Sequence, residues 1–398
     1  MIDLSRVKKF NEREKVVLIR FDLNVPLDSE ELHKSERIIR IKKTISKLLS
    51  LNSKIIILSH IGRPKGNVVD SLSLKQLVEP LKKSLNSEIV FISDCIGPEV
   101  KKRISEIDAD KIILLENCRF YKGEEDNDST FAKSLSELAE VYINDAFACS
   151  HRAHASISEI TNFLPSFCGE LLFDELKNLN KIITDPDEPA ITIMGGSKIS
   201  TKISIIKNLS KKMSSIAICG GMANSFIKFQ GNEIGSSLTE EGVSETIREI
   251  YKFSHQNNCE IILPIDATVA PKLESEANFA VKKIDSLNSS DMILDIGPVS
   301  IKELKEKIKA SKTVFWNGPP GVFEIEPFNK ATVEIANFIA ELTSAGKIQS
   351  FAGGGDTVAA IEMAGVKEKF TYISTGGGAL LELLEGKQLP GLVSQNIL

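Results

Sequence analysis

No stretch of the 398 residues approaches the ~20 consecutive apolar positions that a membrane-crossing helix needs. Residues 1–15 are polar and charged, so no secretory signal is expected. No Cys-x-x-Cys occurs. Cys95, Cys118, Cys149, Cys168, Cys219 and Cys259 are scattered, which argues against a zinc site or a disulfide scaffold and points to a reducing, cytoplasmic setting. There is no surplus of positive charge either. With 49 Lys and Arg against 54 Asp and Glu the net charge is −5, which excludes a general binder of nucleic acid or membrane surfaces. Any basic, anion-binding site must be a local cluster. Low-complexity segments and short-period repeats are also missing.

What is present is a recurring pattern of a short β-branched run, a turn and a longer helical stretch. The runs are 16–19, 54–58, 89–92, 111–115 and 141–143, then 190–194, 216–219, 260–265, 292–296, 313–316, 349–352 and 370–373. They are continuously apolar rather than alternating, which predicts strands buried on both faces of parallel sheets between helix layers. A helix is expected over Ser35–Leu51, with Ser35 as N-cap and Ile38, Ile41, Ile45 and Leu48 on one face. Length and pattern together predict an α/β chain with two doubly wound domains. The polar, proline-bearing stretch 184–190, preceded by an amphipathic helix over 171–183, reads as the connection and a hinge.

The chemistry-bearing residues fall just past strand ends, where open parallel sheets bind ligands. Phe351-Ala-Gly-Gly-Gly-Asp-Thr357 joins a strand to a helix, and its glycines let main-chain N–H groups converge at a helix N-terminus, a seat for phosphate. Asp356 would repel a bare anion but fits a Mg²⁺ carried on phosphates. A glycine at nearly every strand end of the second half suggests a ligand lying against main chain along that edge. Gly195-Gly-Ser-Lys-Ile-Ser-Thr-Lys202 is not a Walker A loop, yet Lys198 and Lys202 would share a helical face. Glu324 is either an acceptor for ribose hydroxyls or a solvated loop carboxylate. In the first half Arg37, Arg63, Arg119 and Arg152 follow four strands, with Asp22, Asn24 and His60 nearby. Each arginine alone reads as ordinary surface; together they form a cup for a small polyanion. A histidine metal site from His60, His151 and His154 is not expected, because no carboxylate sits at ligand spacing.

These stretches, with Arg20-Phe-Asp-Leu-Asn-Val-Pro, Leu58-Ser-His-Ile-Gly-Arg-Pro-Lys-Gly, Leu115-Glu-Asn-Cys-Arg-Phe, His151-Arg-Ala-His-Ala-Ser and Trp316-Asn-Gly-Pro-Pro-Gly-Val-Phe-Glu, make the whole chain closely resemble the phosphoglycerate kinase family. The resemblance implies two Rossmann-like domains separated by a cleft, 1–170 and 190–380, joined by 171–189, with 381–398 packing back on the first. It implies a glycolytic, monomeric, hinge-bending enzyme acting on 3-phosphoglycerate and Mg-ATP. The first substrate would be held by Asp22, Leu23, Asn24, Arg37, His60, Ile61, Gly62, Arg63, Arg119 and Arg152. The nucleotide would be held by Lys198, Lys202, Glu324, Gly353, Gly354, Gly355, Asp356 and Thr357. Arg37, Lys202, Gly354 and Gly355 would be catalytic, and Asp356 would hold the metal. Ala148-Cys149-Ser150 departs from the family's usual Gly-Thr-Ala, and Glu170, Asp174, Pro320 and Tyr372 depart as well. Two rivals remain at this point: a nicotinamide-dependent dehydrogenase, disfavoured by the lack of Gly-x-Gly-x-x-Gly after a strand, and a non-catalytic scaffold that kept the fold.

Overall fold

The computed structural model describes residues 2–27, 31–275 and 277–398. The chain forms two compact units, one of Asn178–Lys387 and one of Ile2–Lys177 with Gln388–Leu398. The returning C-terminal segment therefore begins at Gln388 rather than at 381. The helix Gly378–Leu384 belongs to the larger unit, where Asn208 donates to the Leu384 carbonyl at 2.9 Å. In the smaller unit the returning segment is tied by Asp3 N–H to the Ile397 carbonyl and Gly391 N–H to the Ser150 carbonyl.

The smaller unit is built on a six-stranded parallel sheet in the order β3-β4-β2-β1-β5-β6. The strands are β1 (Val16–Phe21), β2 (Lys54–Leu58), β3 (Ile89–Ile92), β4 (Ile112–Leu115), β5 (Val141–Asp145) and β6 (Ser166–Cys168). Alternate residues of β1 feed the two faces. Val17, Ile19 and Phe21 join one apolar cluster with Ile38, Ile41, Ile45 and Leu48, and Leu18 joins the other with Leu58, Leu115 and Tyr142. Each such buried side chain contributes about 1.5–3 kcal/mol. Arg20 sits on the Leu18 side and is wholly buried.

The expected 35–51 helix is two helices, Glu36–Arg40 and Lys42–Ser50, interrupted at Ile41. Ser35 occupies the N-cap position, but its side chain makes no capping bond. The helix Glu170–Ile183 is anchored in the smaller unit from its first turn. Asp145, at the end of β5, accepts from Leu172 N–H at 2.8 Å and from the Thr44 hydroxyl. Glu170 pairs with Lys47 at 2.7 Å, and Asp174 pairs with Lys43. The acids that depart from the family pattern thus answer lysines on the helix Lys42–Ser50.

Burial pushes the Asp145 carboxyl up to about 7, against the pull of its Thr44 and Leu172 bonds. The folded chain then holds a proton that the unfolded chain releases above the ordinary aspartate value. Its contribution to stability is present at low pH and fades as pH rises through 7. Asp145→Asn therefore gains on the parent by about 1.4 kcal/mol per pH unit between roughly pH 4 and 7. Denaturant unfolding at stepped pH measures this, and a pH-independent difference would refute it.

The larger unit carries a second six-stranded parallel sheet, ordered β15-β14-β13-β7-β8-β9. Its strands are β7 (Ala190–Met194), β8 (Ser215–Ile218), β9 (Glu260–Ile262), β13 (Thr313–Asn317), β14 (Gln349–Gly353) and β15 (Tyr372–Ser374). The run 292–296 does not join it. β12 (Met292–Ile296) pairs antiparallel with β10 (Asp266–Ala270), which also pairs antiparallel with β11 (Ala280–Lys283). Of the expected run 260–265 only Glu260–Ile262 is strand; Pro264, just beyond it, lacks the N–H a ladder needs. β11 is largely exposed, a situation antiparallel strands tolerate and parallel ones do not.

Candidate active site

In the smaller unit the predicted residues lie at the carboxyl edge of the sheet. Asp22 follows β1, His60 follows β2, Arg119 lies in the turn after β4, and Arg152 lies beyond β5. Arg37, on the helix Glu36–Arg40, places Nη1 2.9 Å from Asp22 Oδ2 and donates to the Asn24 carbonyl at 2.7 Å. The other Asp22 oxygen accepts from Asn24 N–H at 3.1 Å, and Asn24 Oδ1 accepts from Gly62 N–H at 2.9 Å. Asp22 and Asn24 thus brace Arg37 and the His60 loop. Arg119 Nη1 donates to the Gly62 carbonyl at 2.9 Å. Leu23 and Ile61 are core residues whose side chains are buried. The Arg63 and Arg152 side chains are exposed, and among the described residues no hydrogen bond or ion pair fixes them.

Two residues that sequence reasoning passed over hold this edge in place. Asn117 is buried and donates to the Ile61 carbonyl at 2.8 Å, while its Oδ1 accepts from Arg119 N–H at 3.1 Å. Arg20 Nη2 lies 2.9 Å from His60 Nδ1, and Arg20 Nε donates to Ser156 Oγ at 2.9 Å. Both stood inside quoted motifs. Their side chains act on neighbouring loops, which only the fold reveals.

Asp22, His60 and Cys149 bring one donor atom each within 4.8 Å of one another. A carboxylate does therefore reach a histidine, contrary to what its spacing suggested. The trio still suits a cation poorly. His60 Nδ1 is engaged by a guanidinium, burial pushes the Cys149 thiol up to about 12, and Arg20, Arg37 and Arg119 surround the imidazole. The same positive surroundings suit an anion.

Burial, followed by Arg20 and Arg119, holds His60 well below the ordinary histidine value. Burial and Arg119 lower His154 to about 3. Both rings are neutral in the fold and charge on unfolding, so their contribution to stability is present above about pH 6.5 and lost as pH falls below it. His154→Gln is expected to remove about 1.4 kcal/mol per pH unit of acid-side slope between roughly pH 6 and 4. Parallel urea titrations of parent and variant test this; identical slopes would contradict it.

In the larger unit the loops after β7 and β13 press together. A Cβ at Gly195 would lie 2.0 Å from the Pro319 carbonyl, so this glycine permits the close loop-to-loop approach. Gly354 is different. It has φ +98° and precedes the nine-residue helix Gly355–Met363, whose first-turn N–H groups have no partners within the helix. A Cβ there would meet Asn317 Nδ2 at 2.8 Å. Asn317 Nδ2 donates to the Gly353 carbonyl at 2.7 Å, and its Oδ1 accepts from Lys202 Nζ. Asn317, also passed over, therefore ties the glycine loop to the lysine. Thr357 Oγ1 accepts from Gly318 N–H at 2.7 Å and is buried, so its hydroxyl braces a loop.

Lys198 and Lys202 do not share a helical face. The helix begins at Ile203, with Lys202 at its N-cap position, and Lys198 is exposed in the preceding loop. Burial lowers the Lys202 pKa, partly offset by Asp356 and Glu385. Asp356 and Glu324 both line a cavity of about 420 Å³ whose walls include Ala223, Ile227 and Leu238. An apolar slot with a few polar groups at its rim suits a flat heterocycle.

The chain is similar to known proteins over almost its whole length. The family model "Phosphoglycerate kinase" matches residues 7–387. A protein of Wolbachia pipientis subsp. Culex pipiens called phosphoglycerate kinase is 46% identical over 99% of both chains, and one of Rhizobium meliloti is 43% identical over 95% of both. The solved phosphoglycerate kinase of Coxiella burnetii superposes with a TM-score of 0.89 at 36% identity, covering 97% of each chain. Two parallel sheets, each with an anion-suited loop cluster at its carboxyl edge, together with matches of this length, place the chain in the phosphoglycerate kinase family.

Proposed function

We propose that this chain carries out its family's reaction, reversible phosphoryl transfer between ATP and the carboxylate of 3-phosphoglycerate, with one ligand held by each unit. The observation that carries the assignment is the contrast between the two loop clusters. One is rich in arginine around a neutral His60; the other is a glycine turn opening a helix beside Lys202 and an apolar cavity.

Arg37, Arg119 and His60, with the unpaired Arg63 and Arg152, hold the acid and its distal phosphate. Guanidinium forks match these planar and trigonal anions. The main-chain N–H groups at Gly354–Thr357 and the Lys202 ammonium hold the nucleotide phosphates. Asp356 lies beside those N–H groups and lines the cavity, and such a carboxylate fits next to phosphates only if a cation sits between them. A Mg²⁺ taken there by Asp356 supplies charge neutralisation when bound. The nucleophile is a carboxylate already ionised at neutral pH, so no general base is required. Arg37 aligns the attacking oxygen, and Lys202 follows the migrating phosphoryl.

Ligands on separate units must meet away from water, so closure on binding both is expected. Small-angle scattering should show a smaller radius of gyration with both ligands than with either. Equal radii would refute closure. Among the described residues no helix is long and apolar enough to cross a membrane. The six cysteines are free and buried, which supports a reducing, cytoplasmic setting, and a monomeric state is part of the same proposal. The deciding assay is production of ADP from Mg-ATP, dependent on 3-phosphoglycerate. No acid-dependent ADP would leave only a non-catalytic role.

A further inference from the structure

Arg20 is an expensive residue to keep where it lies. It occupies a central strand, wholly buried beside Leu18, Leu58 and Leu115, where an aliphatic side chain would cost nothing in desolvation. Each of its three guanidinium nitrogens has a partner. Nη1 donates to the Phe21 carbonyl, Nε to Ser156 Oγ at 2.9 Å, and Nη2 faces His60 Nδ1 at 2.9 Å. The Ser156 hydroxyl spends its single proton on Glu124 Oε1 at 2.6 Å, so a lone pair is left for Arg20. Glu124 is itself fully buried, with its second oxygen accepting from Ser156 N–H at 2.9 Å, and Tyr142 donates to the Ser156 carbonyl at 2.6 Å. The result is a closed relay from Glu124 through Ser156 and Arg20 to His60.

The relay has a chemical consequence at its far end. A guanidinium has only donors. His60 Nδ1 must therefore accept, and the single ring proton of a neutral imidazole is then on Nε2. A second proton on Nδ1 would set N–H against N–H. The other charged or titratable groups around the ring are Arg37, Arg119, His154, Asp22 and Cys149. The arginines and His154 further oppose its protonation.

We propose that Arg20 is a positioning residue for the phosphoryl-transfer reaction, fixing His60 as a neutral Nε2–H donor aimed at the anionic acid. This rests on the substrate assignment above for the identity of the acceptor, but not for the tautomer. The fixed donor is set before substrate arrives, so no proton need move and no ring need reorient on binding.

The test uses the intact protein labelled with ¹⁵N-histidine and long-range ¹H–¹⁵N correlation. His60 is identified by loss of its signals in His60→Gln. Without substrate, His60 should show a protonated Nε2 and an unprotonated Nδ1 from about pH 8 down to about pH 5. A protonated Nδ1, or titration near 6.5, would overturn the proposal. Adding 3-phosphoglycerate should move the Nε2 proton downfield; an unchanged shift would overturn the donor role. In Arg20→Met/Glu124→Gln, which removes both buried charges together, His60 should show mixed tautomers and titrate closer to 6.5. KM for 3-phosphoglycerate should rise about tenfold, with little change in kcat. A parental histidine pattern in that variant would contradict the relay. If the double variant does not fold, the measurement on the parent still decides. Because the tautomer is read without substrate or turnover, its failure is distinguishable from failure of the ADP assay.

Discussion

Arg37→Ala is expected to lower kcat by about 10²–10³-fold with the fold retained. The reasoning starts from how the guanidinium is held. Asp22 Oδ2 and the Asn24 carbonyl occupy Nη1, at 2.9 and 2.7 Å, and leave the rest of the fork directed by those contacts. Its side chain remains one-third exposed, so removing it opens no large cavity. In the proposed mechanism what is lost is a charge beside the attacking oxygen, where closure would exclude water. Arg37→Lys should recover little, because a point charge cannot keep both the brace to Asp22 and a planar contact with the acid. Steady-state kinetics with circular dichroism as the fold control checks both variants. A rate within tenfold of the parent would remove Arg37 from the mechanism.

Lys202→Met should produce the other large loss, again about 10²–10³-fold in kcat, with a smaller change in the KM for ATP. Lys202 Nζ donates to Asn317 Oδ1, and Asn317 reaches back to the Gly353 carbonyl at 2.7 Å. The ammonium is thus held over the glycine turn by a side chain that also shapes it. Methionine fills the stem but offers neither donor nor charge. Asn317→Ala gives a control of a different kind. It frees both Lys202 and the turn, so it should raise KM for ATP and lower kcat together. A Lys202→Met enzyme with parental kcat would place the migrating phosphoryl elsewhere.

The parallel sheets were legible because continuous apolar runs can be buried on both faces only between helix layers. Val16–Phe21 and Ala190–Met194 behave in that way. The antiparallel β10-β11-β12 was not legible. β11 is mostly exposed, with an apolar content too low to stand out, and β12 looks like any buried run. Charged residues at strand ends could be found from motif position alone. Their division of labour could not. Asp22, Asn24 and Thr357, expected at ligands, also brace their surroundings: Asp22 Oδ1 accepts from Asn24 N–H, Asn24 Oδ1 from Gly62 N–H and Thr357 Oγ1 from Gly318 N–H. Asn117, Asn317 and Arg20 do comparable bracing from farther off in sequence. Arg20 carries a hint readable from the sequence: a charge inside an otherwise apolar strand.

The most direct test of the two-site account is a crystal structure grown with 3-phosphoglycerate and a non-hydrolysable Mg-ATP analogue together. The account predicts the acid among Arg37, His60 and Arg119, and the nucleotide phosphates on the first turn of the Gly355–Met363 helix beside Lys202. Both ligands on a single unit, or the nucleotide seated among the arginines, would contradict it.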